Sequence, residues 1–373
     1  MRSRPRRSAH DGKMMDGPTA EIRHPFATPP APGRATEVAP GILWLRLPMP
    51  MALDHVNVYA LEDGDGWTIV DTGLDTPATR EVWAAALAGP LSGRPVRRVL
   101  VTHHHVDHVG LAGWFVARGA ELLMPRTGWL MARMLALDVQ ERPTPEALAL
   151  WRAAGMDAET FARRAAARPW NAADTTHPLP PGFTRLHDGA RLEIGGRCWR
   201  VRMGDGHAPE HATLWSEADA LVLAGDQVLP GITPHIGVYP NEPAADPLGE
   251  WLASCARLAA HARPDHLVLP GHKLPFTGLA LRLGQMGQSH AAALGRLRAH
   301  LREPRVAVAC FVPLFRRPID DALMGLALPE TLAHLNHLLA LGAVARTSRS
   351  DGAWLWHDVP GAQIADDTGA PIG

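Results

Sequence analysis

Lysine is nearly missing from this chain. Only Lys13 and Lys273 occur among its 37 basic residues, so arginine carries almost all of the positive charge. Cysteine is scarce too. Cys198, Cys255 and Cys310 are far apart and form no CxxC pair, which excludes a disulfide framework and makes a reducing cytoplasm the expected compartment. No uncharged apolar run approaches the roughly 18 residues that span a bilayer, so an integral membrane protein is not expected. An excess of charge is also lacking. The 37 basic residues stand against 38 acidic ones, for a net charge of −1, which excludes a globally basic nucleic-acid binder but not a local patch.

What is present suits a globular chain. The hydrophobic fraction is 46% and the charged fraction 20%. The 35 glycines and 34 prolines stay below the low-complexity range of about 25–30%. A length of 373 residues predicts one large domain plus a smaller one. The abundant residue is histidine, with 20 copies, several in tight groups.

Residues 1–35 read as a disordered, solvated tail, rich in arginine and proline and poor in apolar residues. The pair Arg6-Arg7 is followed by no hydrophobic stretch, so a secretion signal is not expected. From residue 36 strands begin, at 41–47, 55–61 and 67–70, with turn chemistry at 63–66. Thr76 and Pro77 open a helix. A strand over 96–101 runs into four residues that include three histidines, a helix starts near His108, and 120–124 is again a strand. This alternation predicts an α/β layered domain over 36–280. Residues 126–185 predict two or three inserted helices, opened at Thr144-Pro145 and Asp157, that either pack on the surface or wall a pocket. Strands resume at 191–194, 198–202, 214–216, 220–224 and 267–269, with a helix at 246–262. Residues 281–373 read as a helical linker, then further helices, then a hairpin turning at Asp351-Gly352.

The strongest local signal is His103, His104, His105, Asp107 and His108 directly after a strand. His103 and His105, two apart in an extended loop, point the same way. Asp107 and His108 turn toward a neighbouring point. Imidazole suits zinc, iron and similar metals, and a carboxylate adds anionic charge. His207, Asp226 and His272 each stand on a loop just past an apolar strand and a glycine, where open α/β sheets place their chemistry.

The series Val70-Asp71-Thr72-Gly73, His103-x-His105-x-Asp107-His108, Gly206-His207, Gly225-Asp226 and Gly271-His272 resembles the metallo-β-lactamase superfamily of hydrolases, in its glyoxalase II-like and β-lactamase-like branch with a C-terminal winged-helix domain. The resemblance spans residues 36 to about 275. It implies a four-layer αββα sandwich with a helical insertion and a small C-terminal winged-helix-like domain. It also implies two divalent metal ions, zinc first, with manganese or iron as alternatives. Carried over, His103, His105 and His207 hold one ion, Asp107, His108 and His272 the other, and Asp226 bridges them. Asp71 is expected to orient a ligand histidine. His211 stands behind the ligands, faces substrate or is an ordinary loop histidine, His104 is structural, and His235 lines the cleft.

The implied reaction uses a metal-bridging water, ionised to hydroxide near neutral pH, with Asp107 as proton acceptor. The expected substrate is a small ester, thioester or lactone. A phosphodiesterase or endoribonuclease, and a mono-iron oxidoreductase of the persulfide dioxygenase type, stay open as alternatives. Residues 227–240 contain no Lys or Arg and only one Phe, Trp or Tyr, Tyr239, which argues against glutathione thioesters. Leu229 stands where the acyl-homoserine lactonase branch has a tyrosine. Helix 328–341 carries Glu330, His334 and His337 but no Lys or Arg, so nucleic acid is not an expected partner. A small-molecule substrate is expected, no membrane is, and a homodimer is left open.

Overall fold

The computed structural model describes residues 21–362. Its strands feed two cores at once. The first sheet has seven strands in chain order: β1 (Thr36–Ala39), β2 (Ile42–Pro48), β3 (His55–Asp63), β4 (Gly66–Val70), β5 (Val96–Leu100), β6 (Glu121–Pro125) and β7 (Thr184–Leu186). β1 to β4 pair antiparallel, and β4 to β7 pair parallel. Along β3, Val56, Val58 and Ala60 join one buried cluster while Tyr59 and Leu61 join another. Apolar residues in both phases of the two-residue period are what a sheet covered on both faces requires.

The first cluster is completed by the helices on the outer face. These are α1 (Pro77–Ala88), the short α2 (Val106–Val109), α3 (Ala112–Val116) and α4 (Arg126–Leu137), contributing Trp83, Val109, Phe115 and Ala132. Thr76 caps α1 by accepting from the Thr79 amide at 3.2 Å, with Pro77 in the first turn, as its sequence predicts. The expected insertion supplies α4, α5 (Pro145–Ala153) and α6 (Ala158–Ala166), and Thr144 and Asp157 cap the latter two. It also supplies β7, which the sequence reading missed. Three residues on a sheet edge carry too little pattern to announce a strand.

The second sheet runs in the order β12-β11-β10-β9-β8, from β8 (Arg191–Ile194), β9 (Arg197–Gly204), β10 (His211–Ser216), β11 (Leu221–Gly225) and β12 (Leu267–Pro270). Only the β11–β12 pair is parallel. Trp199, Val201, Leu214 and Leu223 meet Trp44, Tyr59, Leu100 and Leu123 in one inter-sheet cluster. The other face of the second sheet is covered by α7 (Pro247–Ala259), α8 (Leu279–His300), α9 (Phe311–Phe315) and α10 (Met324–Ala340). The result is the expected four-layer αββα sandwich. β13 (Val344–Ser348) and β14 (Trp354–Asp358) close the described chain as a hairpin.

Three expectations are corrected. The first 20 residues of the expected tail, and residues 363–373, lie outside the described residues. Residues 21–35, however, are attached to the sandwich. Arg23 bridges Thr277, the His24 Nδ1–H donates to the Pro275 carbonyl at 3.1 Å, and Phe26 packs on the inter-sheet cluster. Proline-rich composition reads as disorder, yet an extended segment needs only a few such contacts to be held. The expected linker after residue 280 is α8, a core helix whose Leu283, Met286, Leu294 and Leu297 share a cluster with Val268 of β12. Finally, the helix expected at 328–341 begins at Met324. Pro329 suggests a helix start but falls inside the helix instead.

Candidate metal centre

The sheets bring the chemistry to one edge. β4 and β5 are parallel neighbours, so Asp71 and His103 emerge side by side from their C-terminal ends. β11 and β12 are parallel too, which does the same for Asp226 and His272. His207 follows β9, and His211 opens its antiparallel partner β10. All seven expected ligands lie together in groups whose donor atoms are within 4.8 Å of one another: His103, His105 and His207; His103, His108 and Asp226; Asp107, His108 and His272.

In the first group His103 Nε2, His105 Nδ1 and His207 Nε2 stand 3.0, 3.1 and 3.2 Å apart. The surroundings decide where the protons are. The Asp71 carboxylate only accepts, so the Thr102 hydroxyl donates to it at 2.9 Å. The Thr102 oxygen then accepts from His103 Nδ1–H at 2.9 Å, which leaves His103 Nε2 as a bare lone pair. His207 Nδ1–H donates to the His235 carbonyl at 2.7 Å, so its Nε2 is bare as well. Two lone pairs at 3.2 Å repel unless a cation lies between them. The spacing of the three nitrogens suits a tetrahedral ion with ligands at about 2.0–2.1 Å. Burial, and then the neighbouring imidazoles, push His103 and His105 well below the usual histidine range, and burial pushes His207 down, so all three are held neutral, as ligands must be.

The second group has the same logic with more charge. His108 Nδ1–H donates to Asp71 Oδ2 at 2.8 Å, and His272 Nδ1–H donates to the His55 carbonyl at 2.7 Å. Their Nε2 atoms face two carboxylates. Asp226 Oδ2 lies 3.4 Å from His108 Nε2, 3.1 Å from His272 Nε2 and 3.6 Å from His207 Nε2, and so touches both groups. Asp107 Oδ2 lies 3.5 Å from His108 Nε2 and 3.4 Å from His272 Nε2. Burial alone would lower the pKa of His272, but Asp226 and Asp107 outweigh it and raise the value to about 10. The same contest holds His108 well above its usual value. In Asp226, burial favours the neutral acid, but His272 and His108 win and hold the carboxyl well below the ordinary range. The pocket therefore demands positive charge. His108 Nε2 and Asp226 Oδ1 are buried with no hydrogen-bond partner among the described residues, consistent with a metal-holding centre.

Asp71, expected to orient a histidine, accepts from His108 and from Thr102, which in turn accepts from His103. His211 belongs to none of the three groups. Its Nε2 accepts from the Asp226 amide at 3.1 Å, and its ring stacks on His103 at 4.5 Å. His104 is buried and outside all three groups. Residues missed by the sequence reading hold the His272 loop. The His55 ring accepts from the Lys273 amide at 2.9 Å, and Asn57 Nδ2 donates to the carbonyls of Pro270 and Lys273 at 2.9 and 2.8 Å. Their only sequence signal is a polar residue in an otherwise apolar strand.

The description "Metallo-beta-lactamase superfamily" matches residues 51–272, more than half of the chain, and "Metallo-beta-lactamase-like, C-terminal domain" matches residues 294–359. The chain belongs to the metallo-beta-lactamase superfamily, and it is a metal-dependent hydrolase of that class. It is similar to the probable metallo-hydrolase YqjP of Bacillus subtilis, with 26% identity over 313 residues, or 81% of this chain and 93% of that protein. A beta-lactamase domain protein from Burkholderia ambifaria shares 37% identity and a TM-score of 0.83, over 91% of this chain and 98% of that one. A metallo-beta-lactamase family protein from Thermus thermophilus shares 31% identity and a TM-score of 0.72, over 86% and 99%.

Proposed function

We propose that the centre holds two divalent ions, zinc foremost, and hydrolyses a small ester, thioester or lactone. One observation carries this reading: four imidazoles commit their Nδ1–H to fixed acceptors and turn Nε2 toward two carboxylates and one another. His103, His105 and His207 would hold one ion, Asp107, His108 and His272 the second, and Asp226 would reach both. Divalent ions bound there supply Lewis acidity and bring the pKa of a bound water toward neutrality.

The chain's own groups do the rest. Asp107 is the proton acceptor. Burial opposes its charge, but His108 and then His272 hold its pKa below the ordinary carboxylate value. Its Oδ2 sits beside both histidine Nε2 atoms, where it takes the proton that an attacking water gives up. The carbonyls of His55 and His235 and the carboxylate of Asp71 keep the imidazoles from turning, so the donor set is preorganised. A small-molecule partner fits α10 better than nucleic acid does. That helix carries no Lys or Arg, and its His334, Asn336 and His337 are buried.

The test is elemental analysis of protein purified without added metal, followed by an ester, lactone and phosphodiester panel. Two divalent ions per chain and turnover of esters or lactones support the proposal. A single iron per chain favours the mono-iron oxidoreductase, and turnover of phosphodiesters alone favours a nuclease. Asp107→Asn and His207→Ala must both abolish turnover. Near wild-type rates in both variants would sink the mechanism.

A further inference from the structure

The segment from Gln227 to Asp246 follows the Asp226 strand with no helix or strand of its own. The C-terminal helices hold it. Arg282 of α8 donates from Nε to the Leu229 carbonyl at 2.6 Å. From α10, the Pro329 carbonyl accepts the Val238 amide at 3.0 Å, and Asn336 Nδ2 donates to the carbonyls of Pro243 and Ala245 at 3.1 and 2.8 Å. Glu330 of the same helix reaches furthest. Its Oε2 lies 3.2 Å from His235 Nδ1, and the opposite nitrogen, Nε2, lies 3.1 Å from the Tyr239 hydroxyl. The carbonyl of that same His235 takes the Nδ1–H of His207. Tyr239 is thus linked to His207 through His235, and it is 43% exposed.

The proton order along this chain is fixed by its first member. A carboxylate only accepts, so the neutral His235 ring keeps its proton on Nδ1. His235 Nε2 then only accepts, so the Tyr239 hydroxyl donates to it. The phenol oxygen is left with lone pairs and no proton to offer.

We propose that Tyr239 contacts the substrate by accepting a hydrogen bond from an N–H or O–H beside the scissile carbonyl, with His235 and Glu330 as its positioning residues. The inference rests on the hydrolase reading above and adds a substrate class, acyl groups that carry an amide or hydroxyl hydrogen. It also gives the C-terminal helices a part in specificity.

The experiment compares 4-nitrophenyl N-acetylglycinate with 4-nitrophenyl 4-oxopentanoate, an isostere with CH2 in place of N–H, on the metal-loaded full chain. One hydrogen bond predicts that kcat/KM favours the amide ester by about 2- to 12-fold, after correction for uncatalysed rates. Tyr239→Phe abolishes that preference. Glu330→Ala weakens it as well, because His235 loses the carboxylate that keeps its proton on Nδ1 and so orders the phenol. Glu330→Asp restores part of it. A purely structural role would move the rates of both esters and not their ratio. A Tyr239→Phe variant that keeps the wild-type ratio overturns the proposal. If the metal-loaded wild type cleaves neither ester, the proposed ester class is at fault. Calorimetric binding of N-acetylglycine against 4-oxopentanoate then decides the role of Tyr239. Selective weakening of the first by Tyr239→Phe supports it, and equal binding overturns it.

Discussion

Asp71 Oδ2 accepts the Nδ1–H of His108 at 2.8 Å while Asp71 Oδ1 accepts the Thr102 amide, also at 2.8 Å. One carboxylate therefore fixes His108 directly and His103 through Thr102. It does so from a backbone at φ 61, a left-handed conformation that Asp and Asn tolerate better than most residues. Asp71→Asn keeps the backbone but gives up the charge and one of the two accepting oxygens. It is expected to weaken metal binding by about 10- to 100-fold with an unchanged far-ultraviolet circular dichroism spectrum. Competition with a chromogenic chelator measures this. Wild-type affinity in the Asn variant would refute the role assigned to Asp71.

Gly271 precedes His272, and a methyl group there has no room. Its carbon would stand 2.2 Å from Asp226 Oδ1 and 2.8 Å from His108 Cε1. Gly271→Ala must therefore displace the carboxylate that touches both groups of donors. The expected outcome is a fall in kcat/KM of about 100-fold or more, the size of effect known for a misplacement near 1 Å. Folding is affected far less, because the collision is confined to the centre. Kinetics together with a thermal melt separate the two effects. A variant with normal turnover would show that Asp226 does not need its present position.

The residues of the candidate centre were legible in the sequence because their side chains carry the signal and their spacing follows strand ends. His103, His105, Asp107 and His108 come from one loop, and His207, Asp226 and His272 each follow a strand. The acceptors that aim them were less legible. The carbonyls of His55 and His235 carry no residue-specific signal, since any residue offers a carbonyl. The Thr102 relay becomes visible only once β4 and β5 are seen to be parallel neighbours. The role of α10 was hidden for a related reason. Glu330, Asn336 and His337 look like a polar helix face in sequence, yet they turn toward a segment about 90 residues earlier. The tail at 21–35 and the linker at 280 were misread because composition reports average solvation and not individual contacts.

Metal removal has a signature independent of catalysis. With His272 raised to about 10, a proton occupies its Nε2 at neutral pH whenever metal is absent. Binding must expel that proton, so apparent affinity rises with pH through neutrality and falls in acid. Zinc titration by calorimetry in two buffers of different ionisation enthalpy is expected to report proton release on binding. Chelation is expected to lower the melting temperature by several degrees, since an ion at about 1,000 times its Kd stabilises by about 4 kcal/mol. Binding without proton release would show that neither His272 nor His108 holds its extra proton in the metal-free centre.

His290 and His334 form a buried pair between α8 and α10 that is expected to cost stability in acid. His334 Nδ1–H donates to the Glu330 carbonyl at 2.8 Å, so its Nε2 accepts from His290 Nδ1–H at 3.0 Å. His290 Nε2 is left buried without a partner among the described residues, and a proton placed there finds no acceptor. Burial, and then His334, lower the pKa of His290 to about 3 from the ordinary 6.5. Above pH 6.5 the folded and unfolded chains are both neutral at this ring. Below it the unfolded chain takes up the proton and the folded chain does not, so stability is lost as pH falls from 6.5 toward 3. The slope is about 1.4 kcal/mol per pH unit, or about 2 kcal/mol between pH 6.5 and 5. Unfolding free energies of the wild type from urea titrations at pH 7, 6 and 5 are expected to fall by this amount more than those of His290→Leu. The substitution removes the titrating ring while keeping an apolar side chain against Trp251, 5.1 Å away. Parallel pH profiles for the two proteins would show that His290 takes its proton without cost.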